Sequence, residues 1–262
     1  MPLIAVRNVR AFRLRVGLVW LALLLTFGFF VAHFDLDLTI VRERLPGLLG
    51  FELNPDGDLE GAPLTILVSV AAMGLAFALG LIAALGKISR NPIAYGLATF
   101  YNSFFRGTPL LVQILLIYLG LPQLGPVPAA IPAGIAALAL CYGAYLSEIF
   151  RAAIVSIDPG QWEAGEALGM SRRTLLLGVV LPQALKISIP PVGAMFISML
   201  KDSSLISVMG SWEIMFLAQS YGRASYRYVE MLLTAALIYW VMSIVLEFLQ
   251  AWLEHRLARG RA

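Results

Sequence analysis

Apolar residues along this chain fall into runs of about twenty, separated by short polar stretches. A helix rises 1.5 Å per residue, so roughly 20 apolar residues cross ~30 Å of hydrocarbon. Runs at about 16–34, 63–86, 109–131, 130–150 and 229–250 meet that requirement. A sixth, about 187–210, is interrupted by Pro190, Pro191 and Lys201-Asp202. Such breaks are tolerated at membrane depth only where protein or a water-filled cavity covers the freed backbone. The pattern predicts an all-α membrane protein with about six transmembrane helices, and marks the broken run as a place for a pathway.

Composition removes the competing classes. Of 262 residues, 60% are hydrophobic and 13% charged, against about 25% charged in a soluble domain. An ordinary soluble domain and a disordered chain are both excluded. The single cysteine, Cys141, lies within an apolar run, so there is no disulfide framework and no cysteine-based metal site.

The small net charge of +3 matters less than its distribution. Arg7, Arg10, Arg13 and Arg15 precede the first run with no acid among them. Asp35, Asp37, Glu43, Glu52, Asp56, Asp58 and Glu60 crowd the segment 35–62 against Arg42 and Arg44. Segment 87–106 carries Lys87, Arg90 and Arg106 without acids, and loop 120–131 is uncharged. Segment 148–186 holds Arg151, Arg172, Arg173 and Lys186, and the end of the chain Arg256, Arg259 and Arg261. Basic loops stay in the cytoplasm, so six spans with both termini inside leave only Arg42, Arg44, Lys201, Arg223 and Arg227 outside, out of 19 basic residues. Four arginines before an apolar run also resemble a signal peptide. The run is long and ends Val31-Ala32-His33-Phe34 without a clear cleavage site, which favours a retained span.

The polar stretch 156–182 predicts two short helices joined at a glycine elbow. Asp158 followed by Pro159 is a helix start, and Gln161 three residues later completes a capping-box pattern. The helix runs to about Leu168 and stops at Gly169. Ser171 caps a second helix of about 172–180, ending before Pro182. Ala164, Ala167, Leu168 and Ser171 share one face of the first helix, a small-residue surface that a partner can approach closely. A solvated connector packed on its own helix ends would carry the same composition.

This stretch resembles the EAA signature of permease subunits of bacterial ATP-binding-cassette importers. Glu163-Ala164-Gly165, Gly169, Val179 and Leu181-Pro182 match its spacing, with Gly165 and Val179 as small departures. Phe105–Gln113, Ala144–Arg151 and Phe196–Ser204 are similar to segments of the polar amino acid permeases of that class. The resemblance implies a five-helix type I importer core preceded by an N-terminal helix. It divides the chain into residues 1–61 (tail, first span, external acidic loop), a permease domain 62–252 with the coupling loop 158–182, and a cytoplasmic tail 253–262. It also implies that Trp162, Glu163, Ala164, Gly165, Leu168, Gly169, Leu181 and Pro182 dock an ATP-binding subunit. The partners implied are two such subunits, a second permease subunit (identical or homologous) and an external solute-binding protein, in a bacterial inner membrane.

The remaining chemistry is sparse. No phosphate-binding glycine loop is present, so ATP and magnesium belong on partner subunits and this chain binds no cofactor. His33 and His255 are far apart with no triad or metal partner, and no enzyme is expected. Nothing points to nucleic acid; the other contact surface is lipid. Charges within spans are costly and face protein or water. Glu148 either pairs with Arg151 or lines a vestibule and meets a cationic group of the substrate. Lys201-Asp202, with Ser203, is either an interfacial pair or part of the outer mouth of the pathway. Arg106 is expected at the cytoplasmic interface, at the start of the third span. Tyr221, Tyr226 and Tyr228 read as an interfacial belt, and Glu247 as a snorkelling or paired acid. Trp162 anchors either a partner or the membrane surface. The chain therefore reads as an importer permease for polar amino acids or related compounds, with an ion-gradient-driven secondary transporter as the alternative.

Overall fold

In the computed structural model, residues 9–33, 36–52, 57 and 59–258 are described. The charges counted above at Arg7, Asp35, Asp56, Asp58, Arg259 and Arg261 fall outside these residues. Among the described residues the fold is helical, with one isolated bridge between Gly61 and Glu213. The helices are α1 (Val9–Ala32), α2 (Leu38–Leu49), α3 (Gly61–Ile88), α4 (Pro92–Gly107), α5 (Leu110–Leu115), α6 (Ala130–Val155), α7 (Pro159–Ala167), α8 (Arg172–Leu175), α9 (Leu181–Asp202), α10 (Ile214–Ser225) and α11 (Tyr228–Ala258). Five stretches are long and apolar enough to cross a membrane, or six if the bent pair α4 and α5 makes one crossing.

The centre is the α3–α6 pair. Leu64, Val68, Ala72, Ala76, Gly80 and Ala84 recur every four residues on α3 and are all buried. Between lipid-soluble helices there is little hydrophobic drive, so association depends on close packing over small residues. A Cβ added at Gly80 would lie 2.7 Å from the Leu146 Cβ and 3.0 Å from the Gly143 carbonyl oxygen. Ile114, Met199 and Ile206 from the flanking helices close this core. A second cluster joins Leu48 of α2 to Ile214 and Leu217 of α10 and to Met231 and Ala235 of α11. Helix α1 contributes to neither: its membrane-crossing window has no buried residue.

Three expectations need correction. The segment 35–62, read as a loop, contains α2. Asp37 caps that helix by accepting from the Thr39 N–H at 2.9 Å, and Gly50 closes it at φ +82°. Its apolar side is buried on α10 and α11 while its charges face out, a pattern too short to register among twenty-residue runs.

The segment 87–106, read as a cytoplasmic loop, is mostly α4. Asn91 caps it and Pro92 opens it. The third crossing is therefore not a helix over 109–131. In its place α4 and the path from α5 to Leu124 meet at a bend of 107° at Thr108-Pro109, a pair that counts as one broken crossing or as a re-entrant loop. Lys87, Arg90 and Arg106 made this segment look extramembranous, yet Asn102 is buried and bonded to Glu148, and Arg106, though exposed, stacks on Tyr145.

The run 187–210 is not interrupted at its prolines. Helix α9 continues through Pro190 and Pro191, and from α8 to Met209 the path is a single span of 38 residues. The predicted stop before Pro182 is likewise absent, because Pro182 sits in the first turn of α9, where its missing N–H costs nothing. A π turn over Leu176–Val180 absorbs the junction.

Candidate functional site

The cytoplasmic elbow forms as its sequence requires. The Asp158 carboxylate accepts from the Gly160 N–H at 2.6 Å, and Pro159 leads α7. The capping box does not close. Gln161 instead accepts from the Gln183 side-chain amide at 3.1 Å, which ties α7 to α9. At the other end, the Met170 N–H reaches the Gly165 carbonyl and the Gly169 N–H reaches the Glu166 carbonyl, both at 3.0 Å. With Gly169 at φ +72°, this is a Schellman closure, which favours glycine at that position. Ser171 caps α8 through the Thr174 N–H.

Gly165, which stands where the signature has alanine, is buried against Leu175. An added Cβ would come within 3.1 Å of the Leu175 Cγ and closer still to its methyls. The glycine thus seats α7 on α8 rather than loosening the helix. Trp162 is half-buried and packs with Leu85, Ile88 and Leu181 around Ala153, Ile154 and Val180, so the elbow is glued to the ends of α3, α6 and α9. Glu163, Ala164, Ala167, Leu168 and Gly169 remain exposed, as does Pro182; Leu168 is 81% exposed. The result is a capped helix fixed to three membrane helices and presenting an uncovered apolar edge.

A second feature runs along α6. Tyr142, Tyr145 and Glu148 follow at three-residue spacing on a helix otherwise largely enclosed, and Tyr145 is 38% exposed. Glu148 pairs with Arg151 at 2.9 Å, as one expectation had it. It also pairs with Lys87 of α3, accepts from Asn102 of α4 at 2.9 Å, and lies 3.8 Å from Arg106. Ser147 donates to the Asn102 amide oxygen at 2.8 Å. One carboxylate therefore ties α3, α4 and α6 and is surrounded by three cations, a surplus of positive charge.

Arg106 shares Glu148 with Lys87, one residue before the end of α3. It stacks over the Tyr145 ring at 5.3 Å, ten residues and about 15 Å from the inner end of α6. Asp202 accepts from the Tyr142 hydroxyl at 2.7 Å, which sets it opposite the middle of α6. Lys201 and Asp202 are both exposed and do not pair with each other, while Ser203 is buried and bonded to the Leu200 carbonyl. Gln113 donates to the Phe105 and Thr108 carbonyls at the α4–α5 break, and its own carbonyl oxygen is buried without a partner. Sequence reasoning passed over Asn102, Gln113 and Lys87; two polar amide side chains within apolar helices were the signal.

Of the three tyrosines read as a belt, Tyr221 lies beneath Arg44 at 5.0 Å, Tyr228 accepts from Arg223 at 3.3 Å and Tyr226 is exposed. Glu247 is exposed. Among the described residues no group of acidic, histidine or cysteine side chains is arranged to hold a metal.

Comparison with known proteins is consistent across sequence and structure. Residues 76–259 match the family described as the inner membrane component of binding-protein-dependent transport systems. The chain is 40% identical over 204 residues to the probable amino-acid permease protein YxeN of Bacillus subtilis (strain 168), covering 77% of this chain and 91% of that one. It is 40% identical over 220 residues to the probable amino-acid ABC transporter permease protein PatM of Vibrio harveyi, covering 81% and 99%. Among solved structures, an amino acid ABC transporter crystallised with histidines superposes with a TM-score of 0.75 at 36% identity, covering 85% of this chain and all of that one.

Proposed function

The chain belongs to the family of inner membrane components of binding-protein-dependent transport systems, and from that premise we propose that it imports polar amino acids as one half of a transmembrane pathway. Membership sets aside the ion-gradient alternative. Two ATP-binding subunits dock on the elbow of this chain and of a second permease subunit, and ATP and magnesium stay on those partners. An external solute-binding protein delivers the substrate. The acid-free basic segments at 7–15 and 87–106 and the basic end of the chain support an elbow and both termini in the cytoplasm of a bacterial cell.

One observation carries the reading: a doubly capped helix fixed to the inner ends of α3, α6 and α9, with Ala164, Ala167 and Leu168 uncovered. ATP-driven closure of the docked subunits displaces this helix. Because Trp162 and Leu181 bind it to the span ends, the displacement reaches α9 and the polar face of α6.

That face suits a zwitterion. Glu148 is already held by three cations, so Arg106 is the group that meets a substrate carboxylate, and Asp202, exposed opposite Tyr142, accepts from its ammonium group. Lys201 and Ser203 flank the same site.

The test is reconstitution of this chain with its ATP-binding subunit and binding protein in liposomes, scored by uptake of radiolabelled amino acids. Uptake must require ATP and both partners. Uptake by this chain alone, abolished by an uncoupler, overturns the proposal.

A further inference from the structure

Two grooves flank the inner end of α3. One, about 500 Å3, lies between α3, α6 and the elbow and is floored by Leu85, Ile88, Ile154 and Leu176, with Trp162 as a wall. The other, about 480 Å3, lies between α3 and α4 and climbs from Ser89 past Ile82 to Leu79, with Leu97 opposite. Leu85 and Ser89 line both, so the two meet at the helix end. From Ser89 to Leu79 is ten residues, about 15 Å of helix. That is half of a ~30 Å hydrocarbon core, the depth of one leaflet.

Where the grooves meet, the rim is basic. Arg90 is exposed, and among the described residues it has no acidic partner. Arg172 lines the first groove as well and has only an exposed pairing with Glu166 at 3.5 Å. The Ser89 hydroxyl accepts from the Asn91 N–H at 3.1 Å and keeps its own proton to donate. A half-buried tryptophan at this level is the usual marker of a membrane–water boundary.

We infer that this fork is a binding site for an anionic phospholipid of the inner leaflet, its phosphate between Arg90 and Arg172 and an acyl chain in the groove between α3 and α4. The apolar length matches a leaflet, and the unmatched positive charge at the junction selects an anionic over a zwitterionic headgroup. The lipid wedges between α3, α4 and the elbow, and so fills the space beside the helix that carries force from the ATP-binding subunits. The site depends on neither the substrate nor the direction of transport.

The assembled transporter, permease with its ATP-binding subunits, is exchanged into nanodiscs of phosphatidylcholine with one fifth phosphatidylglycerol, and retained lipid is counted by native mass spectrometry. The wild-type complex retains phosphatidylglycerol preferentially, and Arg90→Gln lowers that preference about fivefold, the effect of one arginine at a membrane surface. Leu97→Trp, which fills the second groove, lowers retention of both lipids, while Arg13→Gln on α1 changes nothing. Co-purification of the ATP-binding subunits reports that each variant is assembled. Equal retention of the two lipids by wild type, or an unchanged preference in Arg90→Gln, overturns the inference. So does a photocrosslinker at residue 97 that captures a protein subunit instead of lipid. Failure here leaves ATP-dependent uptake intact, and failure of uptake leaves lipid retention intact.

Discussion

The Tyr142 hydroxyl donates to Asp202 at 2.7 Å, joining the middle of α6 to the end of α9. Asp202 closes one end of the polar face and is the part of it farthest from the basic cluster around Glu148. Replacing Asp202 by Asn removes the negative charge that meets the ammonium group, and uptake is expected to fall tenfold or more, in line with the roughly 1.5–3 kcal/mol of a hydrogen bond to a charged group. Tyr142→Phe, which frees the carboxylate, lowers uptake less. Both variants are expected to co-purify with the ATP-binding subunits in wild-type amounts.

Glu148 predicts a loss of stability rather than of recognition. Glu148→Gln leaves Lys87, Arg106 and Arg151 facing one another without a counter-charge. The carboxylate is partly exposed, so the cost is moderated by solvent to about 1–3 kcal/mol. Thermal unfolding in detergent measures it, and adding Lys87→Met recovers part of the loss.

The elbow predicts uncoupling. Gly169 at φ +72° is strained by any β-branched residue, so Gly169→Val costs about 1–2 kcal/mol locally and distorts the helix end. Leu168→Arg changes nothing inside the chain, because the side chain is exposed. The expected outcomes differ: Gly169→Val retains partner subunits while substrate-stimulated ATPase activity falls, and Leu168→Arg reduces co-purification itself. Wild-type behaviour in both would exclude the elbow as the docking point.

The crossing formed by α4 and α5 is open to labelling. In a Cys141→Ala background, cysteines at Ser89 and Gly125 are expected to react with an impermeant maleimide from opposite sides of the membrane. A cysteine at Asn102 is expected to stay unlabelled, since that residue is buried against Ser147 and Glu148. Labelling of position 102 at the rate of position 89 would return this segment to a loop.

Glu213 gives a pH dependence. It caps α10 by accepting from the Met215 and Phe216 N–H groups and from the Tyr239 hydroxyl, and burial pushes its carboxyl up to about 7. The folded state thus holds a proton between about 4.5 and 7 that the unfolded state releases. Stability from this group is fully present below pH 4.5 and falls as pH rises through 7, by no more than about 3 kcal/mol. The melting temperature of wild type is expected to drop across that window, and Glu213→Gln to flatten the slope.

What the sequence made legible is what twenty-residue runs and local caps encode. The spans of α1, α3, α6 and α11, the Asp158 and Ser171 caps and the Gly169 elbow are all where their residues require. Polar residues satisfied by distant partners were harder to read. Asn102 is harmless inside a membrane only because Ser147 and Glu148 lie opposite, and those are more than forty positions away. The Tyr142 partner of Asp202 is likewise sixty residues distant. Pro190 and Pro191 announced a break, yet neighbouring helices hold α9 straight enough to continue; Gln250 of α11 donates to the Pro190 carbonyl at 3.0 Å. Gly165 shows the same limit, since its need for a missing methyl is set by Leu175 on another helix.

The contact at Gly80 and Gly143 has a mechanical consequence. Two rods touching backbone to backbone have no side-chain cushion to slide on, so α3 and α6 behave as one keel. Any swing between inward and outward openings must then pivot around that keel, and the deformable joints are left at Thr108-Pro109, where the third crossing folds, and at Gly210, beyond the end of the fifth.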